Sequence, residues 1–441
     1  MKKIFTIILL AVMMQNMHAQ DTSKVNELIT AYKKLDKFNG TVLVAAYGRI
    51  IFEKGYGYCN AAKGTRNNPQ TIFQIASITK TFTSAVVLKL VQQHQLSLTD
   101  KLSKWYPKFP NAEKITIGHL LSHTSGIFDY THEDTVTKVN TEQNMMAFLA
   151  KKPLDFQPGS DWRYSNSGYS ILGFIIGKVS GIPYEQAVRK YIFKPLHMDH
   201  SGFDFEHLQN KEKATGYSMI NDTIKTIAAY SDSSVVFAAG AIYSTAEDIY
   251  KWHRGLQSYQ IVYKELLDKA YTPLKRNYGY GWIIDAVDNK KMVYHSGNIA
   301  GFSSVLVRIP QDDICIVLLN NQEGTELEPI ARKILDILYQ KPYEIPAKKT
   351  AISLPDAILQ RYTGKYEITE IHLILEIILD NNQLTAHMVN GPAFPLTPEK
   401  ENLFFIQDGK VEIEFVAGPS GKAEKLIINQ NDQKKEGKRI Q

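Results

Sequence analysis

Three short groups in this chain can do chemistry together. Ser77-Ile78-Thr79-Lys80 sets a hydroxyl and an amine one helical turn apart on one face, and Ser77 is the only serine with a lysine three positions later. A serine becomes a nucleophile only with a base beside it. A lysine, whose reference pKa is about 10.4, can be that base when burial or the positive end of a helix favours its neutral form. Taken alone the pair is a weak signal, because a capped buried helix explains it as cheaply. Tyr164-Ser165-Asn166 adds a phenol that can relay a proton and an amide that can orient substrate or lysine. His295-Ser296-Gly297 adds an imidazole, and the N–H of Asn298 just beyond it can join that of Ser77 as an oxyanion hole.

The second and third groups each have a look-alike with a plainer reading. Tyr58-Cys59-Asn60 repeats the Tyr-x-Asn pattern at a strand end and reads as structural; His200-Ser201-Gly202 repeats His-x-Gly without a strand pair around it and reads as a loop. His119 and His123 have the i,i+4 spacing of metal ligands, but the glutamate of a zincin helix is missing and Thr124-Ser125-Gly126 ends the helix, so packing histidines are the better reading and no metal is assigned. Cys59 and Cys315 lack clustered spacing and read as small buried apolar residues rather than a disulfide.

The elements that must position these groups follow from periodicity. Val25, Leu28, Ile29, Tyr32 and Leu35 recur at helical spacing; Thr41 to Ala46 and Ile50 to Tyr56 read as strands joined at Tyr47-Gly48. Ile78 to Val91 is apolar nearly all round, the pattern of a helix buried in a core. Leu96 to about Trp282 reads as mostly helical with Gly- and Pro-marked loops, placing Tyr164-Ser165-Asn166 on a loop before the helix Tyr169 to Val179. Met292 to His295, Phe302 to Ile309 and Ile314 to Leu319 then read as strands, and an amphipathic helix carries Leu327, Ile330, Ile334 and Leu338. This order predicts one sheet built from both ends of a domain, with a helical insertion between them.

Residues 341–355 carry Pro342, Pro346 and Pro355 and read as a linker. Beyond it, six short strands are predicted at Tyr366 to Ile368, Leu373 to Leu379, Leu384 to His387, Leu403 to Ile406, Val411 to Val416 and Lys425 to Ile428, the texture of a small antiparallel barrel or sandwich over 356–441. The basic run Lys434 to Arg439 reads as a solvated tail.

With 441 residues, 44% hydrophobic and 22% charged, the chain has the composition of a globular protein with more than one core. Lys2, Lys3, the apolar run Ile4 to Met14 and Ala19 read as an export signal over residues 1–19, because eleven residues rise only about 16 Å as a helix, roughly half a hydrocarbon core. Without Lys2 and Lys3 the charge is 49 basic against 45 acidic residues, an excess too small and too dispersed to imply nucleic acid. The expectation is a periplasmic or secreted protein with no membrane span.

In order, Ser77-x-x-Lys80, Tyr164-x-Asn166 and His295-x-Gly297 resemble the three active-site motifs of the class C β-lactamase-like serine hydrolases, the penicillin-binding-protein-related family that includes D-aminopeptidases, D-Ala-D-Ala carboxypeptidases and esterases. The likeness extends to Leu120-Leu121-Ser122-His123-Thr124-Ser125-Gly126, Phe156-Gln157-Pro158-Gly159, Trp162-x-Tyr164-Ser165-Asn166-x-Gly168-Tyr169, Tyr243-Ser244-Thr245-Ala246-Glu247-Asp248 and Tyr278-Gly279-Tyr280-Gly281-Trp282, over residues 25 to 340. It implies an α/β fold, an antiparallel sheet flanked by helices with an all-helical subdomain, in a hydrolase domain over 20–340. It also implies Ser77 as acylated nucleophile, Lys80 and Tyr164 as the acid/base pair with the serine's base left open between them, and Asn166, His295, Gly297 and Asn298 as the substrate-binding groups. His295 departs from the family, whose β-lactamases carry lysine there. The C-terminal strands resemble the lipocalin-like appendage of some members.

The expected function is an exported serine hydrolase that needs no cofactor and cleaves a small ester, amide or D-peptide. The rivals are a β-lactamase or D-Ala-D-Ala carboxypeptidase, which needs a cation for the substrate carboxylate; an acyltransferase; and a catalytically silent ligand-binding protein.

Overall fold

The structure, a computed structural model, describes residues 21–133, 141–229, 231–388, 391–406, 411–430 and 433–440. The export signal expected over residues 1–19 lies outside them. The chain divides into two compact units, one running to Pro346 and one from Ala347.

The first unit is organised by a six-stranded antiparallel sheet. Its strands are β1 (Gly40–Ala46), β2 (Arg49–Gly55), β3 (Ile283–Val287), β4 (Lys290–Ile299), β5 (Phe302–Ile309) and β6 (Ile314–Asn320), in the order β2-β1-β6-β5-β4-β3. The two ends of the unit therefore meet at the sheet's centre, where Val42 pairs with Leu318 and Val44 with Ile316. Both faces of β1, β5 and β6 are covered, which is why their centres, Val42 to Ala46, Val305 to Val307 and Ile314 to Leu319, read as continuous apolar runs rather than alternating ones. The pleat sends Val42, Val44, Val305, Val307, Ile316 and Leu318 to one core, shared with α1 (residues 21–34) and α6 (Glu328–Leu338), and Leu43, Ala45, Leu306, Val317 and Leu319 to the other.

On that second face lies the helical part of the unit, which includes α2 (Thr79–Gln92), α3 (Ile117–Leu121), α4 (Asn166–Ser180) and α5 (Ala246–Gln257). Helix α2 runs through its middle, buried from Thr79 to Leu88 on every side, as its all-round apolar pattern predicts. Phe82 stacks on Trp252 of α5 at 4.6 Å, and the Trp252 indole N–H donates to Thr81 Oγ1 at 3.2 Å. The insertion is less purely helical than its sequence reads. Phe73–Gln74 pairs with Tyr243–Ser244, and Tyr217–Ile220 pairs with Lys225–Ile227 around an Asn221 side chain that accepts the N–H groups of Thr223 and Ile224. Strands this short fall below what periodicity resolves. Cys59 and Cys315 are both free and buried, in keeping with their apolar reading.

The second unit is a closed antiparallel barrel of eight strands: β7 (Gly364–Ile368), β8 (Leu373–Asp380), β9 (Gln383–Met388), β10 (Ala393–Pro398), β11 (Leu403–Ile406), β12 (Val411–Ala417), β13 (Ala423–Gln430) and β14 (Gln433–Arg439). Two of these strands escape the sequence pattern. Strand β10 holds Pro395 and Pro398, which argue against a ladder. Strand β14 is the Lys434 to Arg439 run, and the expectation of a solvated tail is corrected: it pairs with β13 along its length and with β7 at Tyr366 and Glu367, closing the barrel. The reason is that its charges alternate outward while Gly437 packs on Leu426, and Arg439 donates to the carbonyl oxygens of Ala423 and Thr363. The second half of the expected linker is also fastened to this barrel, where the Ile352 N–H donates to Pro398 O and Lys349 pairs with Glu399 and Glu412.

Candidate active site

Ser77 sits on a single 3-10 turn, Ala76–Ile78, that feeds directly into α2. The turn is sharp because Ala76, an L residue, holds φ +46, a left-handed backbone that costs about 1–3 kcal/mol and persists only where its surroundings impose it. They do so on both sides. Ile75 donates its N–H to Ile242 O at 3.0 Å, and its carbonyl accepts from Ser304 Oγ at 2.8 Å. Strand β4 presses against the same turn at Gly297, where a Cβ would lie 2.4 Å from Ile75 O and 2.5 Å from Ser304 Oγ. Only glycine lets the strand approach the serine this closely.

One turn further on, Lys80 is fully buried and has three partners. Its Nζ lies 3.0 Å from Ser77 Oγ, 2.9 Å from Asn166 Oδ1 and 2.8 Å from Ala239 O. Loss of water dominates its electrostatics and brings its pKa down from 10.5 to about 7, with the Asp129 carboxylate pulling the other way. The amine also sits 4.8 Å from the centre of the Tyr164 ring. Burial moves Tyr164 in the opposite direction, raising its phenol above 10, opposed by the nearby Ser77 hydroxyl. Two titratable groups beside one serine are thus pushed apart in opposite senses.

Asn166 is not on the loop that its sequence suggests but in the first turn of α4, which starts early because the Ser165 side chain accepts the Gly168 N–H as an N-cap. Its amide is held from behind by Asp129, whose Oδ2 accepts from both Asn166 N (2.9 Å) and Asn166 Nδ2 (3.0 Å). His123 holds the neighbouring residue: its Nδ1 accepts the Ser165 N–H at 3.1 Å, and its ring lies 4.3 Å from that of Tyr164 and 4.5 Å from that of Tyr278. That is a packing role, as read from sequence. His119 caps α3 by receiving the Thr116 N–H on Nδ1.

His295 is only 2% exposed, and both of its ring nitrogens are engaged. Nδ1 lies 2.6 Å from the Ser296 carbonyl oxygen, which can only accept, so Nδ1 carries the proton and Nε2 accepts from the Tyr278 hydroxyl at 2.9 Å. Burial, followed by the nearness of Lys80, brings its pKa down to about 3. Its ring centre stands 6.3 Å from that of Tyr164. Asn298 is exposed, and its side-chain oxygen accepts from Ser303 Oγ and the Gly324 N–H, tying β4 to the segment after β6.

The structure thus brings Ser77, Lys80, Tyr164, Asn166, His295 and Gly297 into one cluster, with Asn298 at its exposed edge. The look-alikes fall elsewhere: Tyr58–Asn60 pairs with Thr65–Arg66, and the His200 N–H and Ser201 Oγ both donate to Asp248. Two residues of the cluster, Asp129 and Tyr278, are not singled out individually from sequence. Tyr278 lies within the Tyr278 to Trp282 segment already noted; Asp129 has no sequence signal beyond following Leu120 to Gly126, because its partner is 37 residues away.

Residues 25–340 match the Beta-lactamase family and residues 348–439 a domain of unknown function, DUF3471. The chain is 28% identical to Penicillin-binding protein 4* of Bacillus subtilis over 95% of its own length and 99% of that protein's, and 31% identical to the putative penicillin-binding protein PbpX of the same organism over 72% and 79%. A solved relative, the octameric penicillin-binding protein homologue from Pyrococcus abyssi, superposes with a TM-score of 0.69 at 28% identity, covering 94% of this chain and 99% of that one. With Ser77 on the turn before α2 and the buried Lys80 in the first turn of that helix, in the sheet-and-helix fold of the solved relative, the chain belongs to the Beta-lactamase family of penicillin-binding-protein-related serine hydrolases.

Proposed function

We propose that the protein is an exported hydrolase that forms an acyl-enzyme on Ser77 and cleaves small uncharged esters or amides, D-aminoacyl compounds among them. One observation carries the reading: the Lys80 amine lies 3.0 Å from Ser77 Oγ in a burial that brings its pKa to about 7. In this scheme Ser77 Oγ attacks the substrate carbonyl while its proton passes to neutral Lys80. The N–H groups of Ser77 and Asn298 receive the oxyanion. Tyr164, protonated because burial raises its pKa, hands a proton to the leaving group and is recharged from Lys80; water then cleaves the ester on Ser77 with the same groups acting in reverse. The opposed shifts of the two groups favour Lys80 as the base.

The second reading, a β-lactamase or D-Ala-D-Ala carboxypeptidase, is favoured by the relatives named penicillin-binding proteins. Its substrates carry a carboxylate. His295 is buried, neutral and engaged at both nitrogens, which supports uncharged substrates over those anions. Intact mass spectrometry after incubation with short-chain esters, D-aminoacyl amides and penicillins tests the choice. A Ser77-dependent acyl adduct from esters or amides that turns over is the expected result; adducts from penicillins alone would overturn it.

A further inference from the structure

Asn166 presents its amide oxygen, not its nitrogen, to Lys80, and the cause lies one residue further back. Asp129 is 3% exposed, and four donors converge on its carboxylate: Thr131 N and Oγ1 on Oδ1, at 3.0 and 2.9 Å, and Asn166 N and Nδ2 on Oδ2. A carboxylate accepts and cannot donate, so the Asn166 NH₂ must face Asp129 and Oδ1 must face Lys80. Ala239 O is also an obligate acceptor. A neutral lysine has two N–H bonds and one lone pair. When both N–H bonds go to Asn166 Oδ1 and Ala239 O, the lone pair is left for the Ser77 hydroxyl. An amide turned the other way would offer N–H to the lone pair and leave a lysine N–H facing the serine, the wrong polarity for removing its proton.

We propose that Asp129 is a positioning residue of this site: by fixing which side of the Asn166 amide meets Lys80, it directs the lysine lone pair at Ser77. The proposal rests on Lys80 being the base for Ser77, and it adds a residue that touches neither. Asp129 also contributes charge. The groups facing Lys80 are the Tyr164 and Tyr169 rings, the His123 and His295 imidazoles and the Asp129 carboxylate, and of these Asp129 is the one that raises the lysine pKa.

The test is the rate of Ser77 labelling by a fluorophosphonate as a function of pH in the full-length protein, with thermal melts alongside. Asp129→Asn keeps the shape but lets the amide pair turn. Labelling should slow about ten- to a hundredfold at the plateau, and the rising limb should move to lower pH by about one unit because the lysine loses its anion. In the double variant Asp129→Asn with Asn166→Asp, an acceptor again faces Lys80 and the amide introduced at position 129 can donate to it. Labelling should recover at high pH, with the limb now displaced upward by about one unit or more, since the carboxylate adjoins the amine. A purely structural Asp129 would change melts and amplitudes without moving the limb in opposite directions. Unshifted limbs in both variants, or the loss of folding in both, would overturn the proposal. Absence of Ser77-dependent labelling in the unmodified protein would instead overturn the function on which it rests.

Discussion

The Tyr278 hydroxyl donates to His295 Nε2 across 2.9 Å, occupying the one ring nitrogen that could take up a second proton. To bind a proton on Nε2, His295 would have to turn the Tyr278 hydroxyl from donor to acceptor and become a cation while buried beside Lys80, and burial and Lys80 both oppose that cation. A charged hydrogen bond to a carboxylate contributes about 1.5–3 kcal/mol, about ten- to more than a hundredfold in binding. Uncharged short-chain esters are therefore expected to exceed penicillins in kcat/KM by at least about tenfold between pH 5.5 and 8.5. Comparable efficiency for both classes at pH 8 would contradict the neutral histidine.

The same histidine links stability to acid. Its folded pKa of about 3 lies below the ordinary 6.5, so between those values the unfolded chain binds the proton that the folded one refuses. Stability from this group is present above pH 6.5 and falls as pH drops toward 3, by up to about 1.4 kcal/mol per pH unit. His253, brought to about 4 by burial, acts in the same direction. Urea titrations of His295→Gln should show a shallower acid slope than the unmodified protein, and identical slopes would refute the assignment.

Activity should follow Lys80. With its pKa at about 7, the fraction of neutral amine rises through neutrality, so kcat/KM for an uncharged ester should climb with a midpoint near pH 7 and then level. Lys80→Arg keeps a cation that does not deprotonate and should lower kcat/KM by about a thousandfold or more with that limb gone. A limb that persists in the variant would assign it to another group.

Tyr164 is cast as the acid for the leaving group, and the substrate series can isolate that role. Tyr164→Phe should slow amides and alkyl esters by about a hundredfold or more while nitrophenyl esters, whose leaving group needs no proton, lose far less. Equal losses across the series would place Tyr164 earlier in the reaction.

Gly297→Ala probes the approach of β4 to the serine. The added methyl would meet backbone at Ile75 and has no room to turn, so the strand or the turn must shift, at about 1–3 kcal/mol of stability and with loss of Ser77 labelling. A variant labelling at the normal rate would show that the turn tolerates displacement.

A chain ending at Pro346 should keep a cooperative melt and Ser77 labelling, because the first unit has its own two cores flanking the sheet and the barrel has a third. Aggregation of that shortened chain would mean the two units depend on one another to fold.

What the sequence determines by itself is whatever depends on neighbours along the chain. The Ser77–Lys80 spacing, the all-round burial of α2, the hairpin of β1 and β2 and the apolar runs of β5 and β6 are local patterns, and periodicity makes them legible. So is the family likeness, which is carried by short contiguous motifs. Tertiary structure decides what depends on distant partners. Nothing adjacent to Lys434–Arg439 shows that Tyr366 and Glu367 of β7, more than seventy residues earlier, wait to pair with Arg439 and Lys438. Nothing near Lys80 tells that Asn166 and Ala239, 86 and 159 residues away, will accept hydrogen bonds from its amine in place of water. A pKa is set by the solvent that is excluded and the charges that are near. Both are properties of the folded interior, and that is why the sequence names the serine, the lysine and the tyrosine while only the fold sets the opposed shifts of Lys80 and Tyr164 on which the proposed choice of base rests.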